Sequence, residues 1–279
     1  MIDSREIKKF AAQIRLETTR QVGARGFGHI SGSLSVADLL AVLYSSHGLM
    51  RIRPEEPDWP ARDKLVMSKG HAGPAVYSAL ALRGFFPMDW LQTLNQPGTR
   101  LPSHCDRLLT PGIDMTTGSL GQGVSTAIGL AMAQRMDGTG AQTYLVVGDG
   151  ECNEGQVWEG VLFARQQKLD NLVAFVDYNK KQLDGLTEEV MDMGDISAKF
   201  SSFGWHTQEV DGGDVEDIAR AISQAKQHAD LPSCIVMHTT KGAKVQSIAS
   251  IEQNHHIVLE GDLLATAIEE CQQALAELS

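Results

Sequence analysis

The chain has 279 residues, 42% hydrophobic and 21% charged, which is the make-up of an ordinary soluble globular protein with length for one large α/β domain or two small ones. A formal net charge of −11 argues against a nucleic-acid or anionic-membrane surface, so an anionic ligand would need a local site. The four cysteines, Cys105, Cys152, Cys234 and Cys271, lack CxxC spacing, which excludes an obvious zinc site or disulfide framework and fits a reducing cytoplasm.

The N-terminus has no apolar targeting region, and no stretch approaches the roughly eighteen unbroken apolar residues of a membrane span. Asp3 with Glu6 is a capping box for a first helix whose apolar residues Ile7, Phe10, Ile14 and Val22 fall near helical spacing. A glycine- and serine-rich loop, Gly26 to Leu34, follows and carries His29. A histidine among glycines sits on backbone that can approach a ligand, which favours function over a core role. A second helix is expected from about Ser35 to Tyr44, then an exposed Pro- and Glu-rich connection from Arg51 to Arg62.

Leu65-Val66-Met67 predicts a short strand ending in a polar loop with His71, and a helix from about Gly73 to Leu82. A long loop from about Asn95 to Ile113 holds a third such histidine, His104; loops of that length in compact domains are usually functional or disordered. Thr116-Thr117-Gly118-Ser119-Leu120-Gly121-Gln122-Gly123 then opens a small-residue helix from about Val124 to Arg135. Free N–H groups at such a helix start suit phosphate, and the same glycines suit close helix packing; the spacing matches neither the dinucleotide fingerprint nor the Walker loop.

Tyr144 to Val147 predicts a strand, Val157 to Lys168 a helix, and the apolar run into Asp177-Tyr178-Asn179-Lys180-Lys181 a second strand, together one βαβ unit. In that unit Asp149, between Gly148 and Gly150, and Asn179 both emerge at the carboxyl edge of a parallel sheet, where such sheets bind ligands. Asp-Gly and Asn are also common turn residues after strands. One carboxylate, one amide oxygen and a nearby carbonyl would suit a hard cation that also holds diphosphate oxygens. Alternating elements continue with a helix from Asp195 to Gly204, a strand from Trp205 to Glu209, a helix from Val215 to Gln227, a strand from Cys234 to Met237 and an amphipathic helix from Asp262 to Leu278. The expected class is α/β, a mainly parallel sheet with helices on both faces.

In order, the motifs GHISGSLS, MSKGHAGPAVYS, LPSH, TTGSLGQG, GDGECNEGQVWE, DYNKKQLDG and FGWHTQEVDGGD, with a stretch from TTKGAKV to NHH, cover nearly the whole chain. Together they resemble the N-terminal part of transketolase, the thiamin-diphosphate enzyme that transfers two-carbon ketol units between sugars. The resemblance implies a thiamin-diphosphate-binding fold, with Asp149, Asn179 and the Lys181 carbonyl on Mg²⁺ (or Ca²⁺). It implies that His71, Gly118, Leu120, Gly150, Glu154, Asn179 and His255 meet the cofactor, and that His29 and His104 hold substrate hydroxyls and the developing oxyanion. His255 resembles the cofactor-side histidine that assists proton movement, with His256 as the alternative register, and Glu154 a glutamate linking paired active sites.

Transketolases of full length are roughly twice as long as this chain, so residues 1–279 are expected to form one diphosphate- and metal-binding domain, with the pyrimidine-binding and C-terminal domains on a separate subunit. The expected assembly has two of each chain, acts on sugars or sugar phosphates in the cytoplasm, and has no nucleic-acid or membrane partner. The resemblance leaves room for another thiamin enzyme, such as a deoxyxylulose-phosphate synthase or a 2-oxoacid dehydrogenase E1 subunit, or a non-catalytic cofactor-binding subunit.

Overall fold

A computed structural model describes residues 3–278. Asp3 caps α1 (Ser4–Arg25), its carboxylate accepting from the Glu6 amide at 3.2 Å, so that the cap expected from sequence forms. The helix ends where Gly26 adopts a left-handed conformation. The Gly26 to Leu34 stretch is more regular than a loop. It contains the two-residue strand β1 (Phe27–Gly28) and the short helix α2 (Ile30–Leu34), which leads into α3 (Ala37–Tyr44). Burial explains the difference: all five residues of α2 are buried, and Ser33 and Ser35 turn their hydroxyls onto the carbonyls of His29 and Gly32. Small polar residues here satisfy a packed backbone rather than a solvated one.

Strand β2 (Lys64–Met67) runs through a 3₁₀ turn at Gly70–Ala72 into α4 (Gly73–Leu82). A 3₁₀ segment at Met88–Thr93, not foreseen from the sequence, precedes the long loop. Then come α5 (Gln122–Met136), β3 (Thr143–Gly148), α6 (Gly155–Gln166) and β4 (Leu172–Tyr178). They are followed by α7 (Thr187–Met191), α8 (Ile196–Ser202), β5 (His206–Asp211), α9 (Val215–Ala225) and β6 (Ser233–His238). The chain closes with α10 (Gln246–Ala249), β7 (Ile257–Val258) and α11 (Gly261–Glu277).

Five strands form one parallel sheet in the order β2-β3-β4-β6-β5. Alternation along each strand divides the core in two. Tyr144, Val146, Val173, Phe175, Ile235 and Met237 face α1, α3, α4 and α9, whereas Leu145, Val147, Ala174, Val176, Cys234 and Val236 face α5, α6 and α8. Helices therefore cover both faces, as expected for a parallel sheet whose strands are apolar throughout. Side chains close the free edge of β2: Asp114 accepts from the Leu65 amide at 2.8 Å and Thr117 donates to the Met67 carbonyl at 2.7 Å. All four cysteines are buried and free. Among the described residues no helix is long and apolar enough to cross a membrane.

A second, two-stranded sheet does what no sequence period announced. Strands β1 and β7 pair antiparallel, Phe27 opposite Val258 and Gly28 opposite Ile257. Continued by one residue, that register sets His29 against the histidine pair that precedes β7.

Candidate active site

Strands β3 and β4 pair with Gly148 opposite Asp177, so the residues that follow each strand emerge side by side at the carboxyl edge. Asp149 is nearly buried there. Its carboxylate accepts from the Gly150 amide at 2.8 Å, the Lys180 amide at 2.6 Å and the Thr187 hydroxyl at 3.3 Å. Burial first, and then the neighbouring Asp177, raise its carboxyl to about 6. The Asn179 side-chain oxygen accepts from the Lys181 amide at 3.2 Å, and its amide nitrogen donates to Asp177 at 3.0 Å.

The histidines expected to act converge over this edge from four separate segments. The His29 ring lies 5.6 Å from His71, 5.6 Å from His104, 5.4 Å from His255 and 4.7 Å from His256, centroid to centroid. His71 and His255 are 5.0 Å apart. His255 faces inward, with its Nδ1 2.8 Å from Lys241 Nζ, whereas His256 packs against the Phe27 ring at 5.6 Å. An ammonium has no acceptor, so Nδ1 of His255 accepts and its proton sits on Nε2.

Burial lowers all four inner imidazoles. His29 falls to about 4, helped by His256 and His104, and His255 falls to about 3, helped by Lys241. His71 and His104 are lowered too, by burial foremost. These rings are neutral near pH 7 and can each both donate and accept a proton. The unfolded chain protonates such histidines near 6.5 while the folded chain holds His29 neutral to about 4, so the unfolded state binds more protons in between. Stability from this group is lost as pH falls from about 6.5 toward 4. Asp149, with its raised carboxyl, acts in the opposite sense between about 4 and 6. A stability–pH curve of His29→Asn should therefore be flatter than wild type on its acid side, and an unchanged slope would rule out a neutral, half-buried His29.

Four residues that the sequence reading did not single out hold the site together. Asp177 is fully buried in β4 and accepts from Lys69 Nζ, from the Ser35 hydroxyl at 2.7 Å and from the Thr239 hydroxyl at 2.5 Å. Burial would raise its carboxyl, but the Lys69 ammonium and these donors hold it below the ordinary value. Lys69, equally buried, also donates to the Gly32 carbonyl at 2.9 Å, so it ties the His29 segment to the sheet. Glu151, its carboxyl raised by burial, accepts from the Ser68 hydroxyl, from the Gly121 amide at 2.7 Å and from the Gly148 amide at 3.0 Å. It thereby pins the Gly118 to Gly123 loop onto the turn after β3. Lys241, whose ammonium burial brings down to about 8, reaches the Lys181 carbonyl at 2.8 Å as well as His255. A lone charge inside the apolar run of β4 was the available signal for Asp177.

The glycines work by absence of bulk. A β-carbon at Gly118 would stand 3.3 Å from His104, one at Gly150 2.8 Å from Gln182, and one at Gly32 3.1 Å from His71. Leu120 is partly exposed beside this loop, with its carbonyl accepting from Gln156 at 2.9 Å. Glu154 is apart from the histidines: it is exposed at the start of α6, against Gly121. Gly123 lets α5 seat on β2, because a β-carbon there would lie 2.3 Å from Ser68 Oγ and 2.8 Å from Ser68 Cα. Gly123→Ala should cost about 1–3 kcal/mol in a urea titration. A change under about 0.3 kcal/mol would mean that the helix backs away freely.

The family model described as transketolase, thiamine diphosphate binding domain, matches residues 6–275. The chain is 46% identical over 268 residues to the 6-deoxy-6-sulfo-D-fructose transketolase subunit SqwG of Clostridium sp. (strain MSTE9), covering 96% of this chain and 97% of that protein. It is 38% identical to an apulose-4-phosphate transketolase subunit from Phocaeicola vulgatus, covering 90% of this chain and 88% of that one. Among solved structures, the transketolase of Pichia stipitis in complex with sedoheptulose 7-phosphate superposes with a TM-score of 0.87 at 30% identity. That match covers 99% of this chain but 44% of the solved one, so the chain spans less than half of the structure that it resembles.

Proposed function

The chain belongs to the transketolase family, and from that premise we propose that it is the diphosphate-binding subunit of a split transketolase, moving a two-carbon ketol unit from a ketose to an aldose. The observation that carries the reading is the convergence of His29, His71, His104 and His255 above the Asp149 and Asn179 turns. Such an arrangement can grip a polyol and pass protons while an anion is held below. Two relatives of matching length are named as subunits, which supports a second chain carrying the remaining domains. Two copies of each chain, working in the cytoplasm on sugars or sugar phosphates, complete the proposal.

The residues fit a metal–diphosphate group. Asp149, the Asn179 side-chain oxygen and the Lys181 carbonyl are all hard oxygens gathered at two adjoining turns, the donor set that Mg²⁺ or Ca²⁺ takes. The Lys181 carbonyl already attracts a cation, the Lys241 ammonium. Lys241 and His71 would meet the diphosphate, and the Gly118 to Leu120 and Gly150 backbone would border it. Bound thiamin diphosphate supplies the carbanion and the electron sink.

The chain's own residues orient and protonate. His29 and His104 donate to substrate hydroxyls and to the oxygen that gains charge, and His255, the cofactor-side histidine, presents its Nε2 proton. Their neutral resting state lets each take up a proton in turn. Glu154, exposed at the head of α6 and apart from the histidines, would meet another chain rather than the substrate.

Co-purification with a partner, followed by a coupled ketol-transfer assay with a ketose donor and an aldose acceptor, tests the reading. The complex should turn over only with thiamin diphosphate and Mg²⁺, and the isolated chain should not. A cofactor-loaded complex that leaves ketoses untouched would overturn the activity, and an isolated chain working at the same rate as the complex would overturn the split.

A further inference from the structure

Behind the histidine loop lies a cavity of about 340 Å³ that none of the active-site histidines lines. Its walls carry Arg62, Lys64, Arg100 and Arg107 against Asp58 and Asp114, a surplus of two positive charges (four minus two) in a chain whose net charge is −11. Part of that charge is structural. Arg62 is buried and spent on Asp114 through a two-pronged contact at 2.6 and 3.2 Å and on the Pro57 carbonyl at 2.8 Å. Lys64 shares the same carboxylate at 3.4 Å.

The other two are not spent. Arg100 lies over the Trp90 ring at 5.1 Å, and among the described residues neither it nor Arg107 has a carboxylate partner. Two guanidinium groups without a carboxylate partner beside one polar cavity are the chemistry that recognises a tetrahedral dianion, since a guanidinium offers paired N–H donors to phosphate oxygens. Arg107 to Asp114 form one wall, and that wall is the middle of the stretch that begins at His104 and ends at Gly118. A ligand held there would brace the catalytic loop from behind.

We propose that this cavity is a second anion site, distinct from the diphosphate site, that binds phosphate as the free ion or as the end of a small phosphate monoester. Calorimetric titration of the full-length chain with inorganic phosphate and, separately, with glycerol 3-phosphate, at constant ionic strength, tests it. Arg100 and Arg107 are exposed, so the R100Q/R107Q variant should fold. Saturable binding should weaken about tenfold in that variant, the loss of charge-assisted hydrogen bonds, and stay unchanged in Lys241→Gln.

Tighter binding of the free ion or of the monoester identifies the source. If Lys241→Gln loses binding while R100Q/R107Q keeps it, the anion is read at the cofactor site and the proposal is wrong. If neither variant changes the titration, or wild type does not saturate, the cavity is no site.

Discussion

Asp177→Ala should destabilise the chain by about 3–5 kcal/mol and lower its Tm by about 10 °C. The reason is the company that Asp177 keeps. Lys69 and Asp177 are both buried, and the substitution leaves an ammonium without its counter-charge in the core. It also takes the carboxylate acceptor from Thr239, Ser35 and Asn179, of which Ser35 keeps the Gly32 carbonyl and Asn179 the residue-177 carbonyl. A companion variant separates the two costs. Lys69→Met with Asp177→Asn removes both charges but keeps an acceptor oxygen, so it should recover a large part of the lost stability. A single Asp177→Ala variant within about 2 °C of wild type would show that water reaches Lys69 and that the pair is not a buried one.

Asp149→Ala should cost at least about 100-fold in affinity for Mg²⁺ and thiamin diphosphate together, as expected when a metal loses a carboxylate ligand rather than one of its supporting contacts. The readout is cofactor retained on the isolated complex and quenching of tryptophan fluorescence. Folding should survive, because burial and Asp177 penalise the ionised carboxylate in the metal-free chain. Its removal relieves one strained charge even as it frees the Gly150 and Lys180 amides. Thermal unfolding close to wild type together with lost cofactor binding is the expected pair of results. Full cofactor binding in Asp149→Ala would remove Asp149 from the metal's ligands.

The two variants probe neighbouring carboxylates with opposite roles. Asp177 is held ionised by Lys69 and organises the site from beneath, whereas burial and Asp177 raise the Asp149 carboxyl and the Gly150 and Lys180 amides and Lys69 offset that only in part. Glu151 makes a third case, a carboxylate spent wholly on backbone amides and a serine, which shapes the loops without reaching the histidines.

Much of this protein was legible without coordinates. Short apolar runs placed the strands and helical spacing placed the long helices within a few residues, because the strands are buried on both faces and each long helix buries one apolar face against the sheet. The Asp149 and Asn179 turns could be paired in advance, since a βαβ unit returns its second strand parallel to the first. His29 and His71 could be named because glycines flank them and His104 because of its long loop, whereas His255 came from the resemblance alone. The stretch from Ile30 to Leu34 was one exception, where buried polar residues took a helical form that solvent-facing loop chemistry does not anticipate.

What sequence alone determined was the list of parts: the α/β class, the turns at the carboxyl edge, and the residue types able to hold a metal, an anion and a proton. Only the tertiary structure decided which of the parts meet. The β1–β7 pairing brings His255 and His256 to His29 across more than two hundred residues of chain, and the Lys69–Asp177 pair joins two segments far apart in sequence. Periodicity reports how one element meets solvent and core. Contacts between distant loops depend on strand order and register, which follow from the packing of every element at once and from no local pattern.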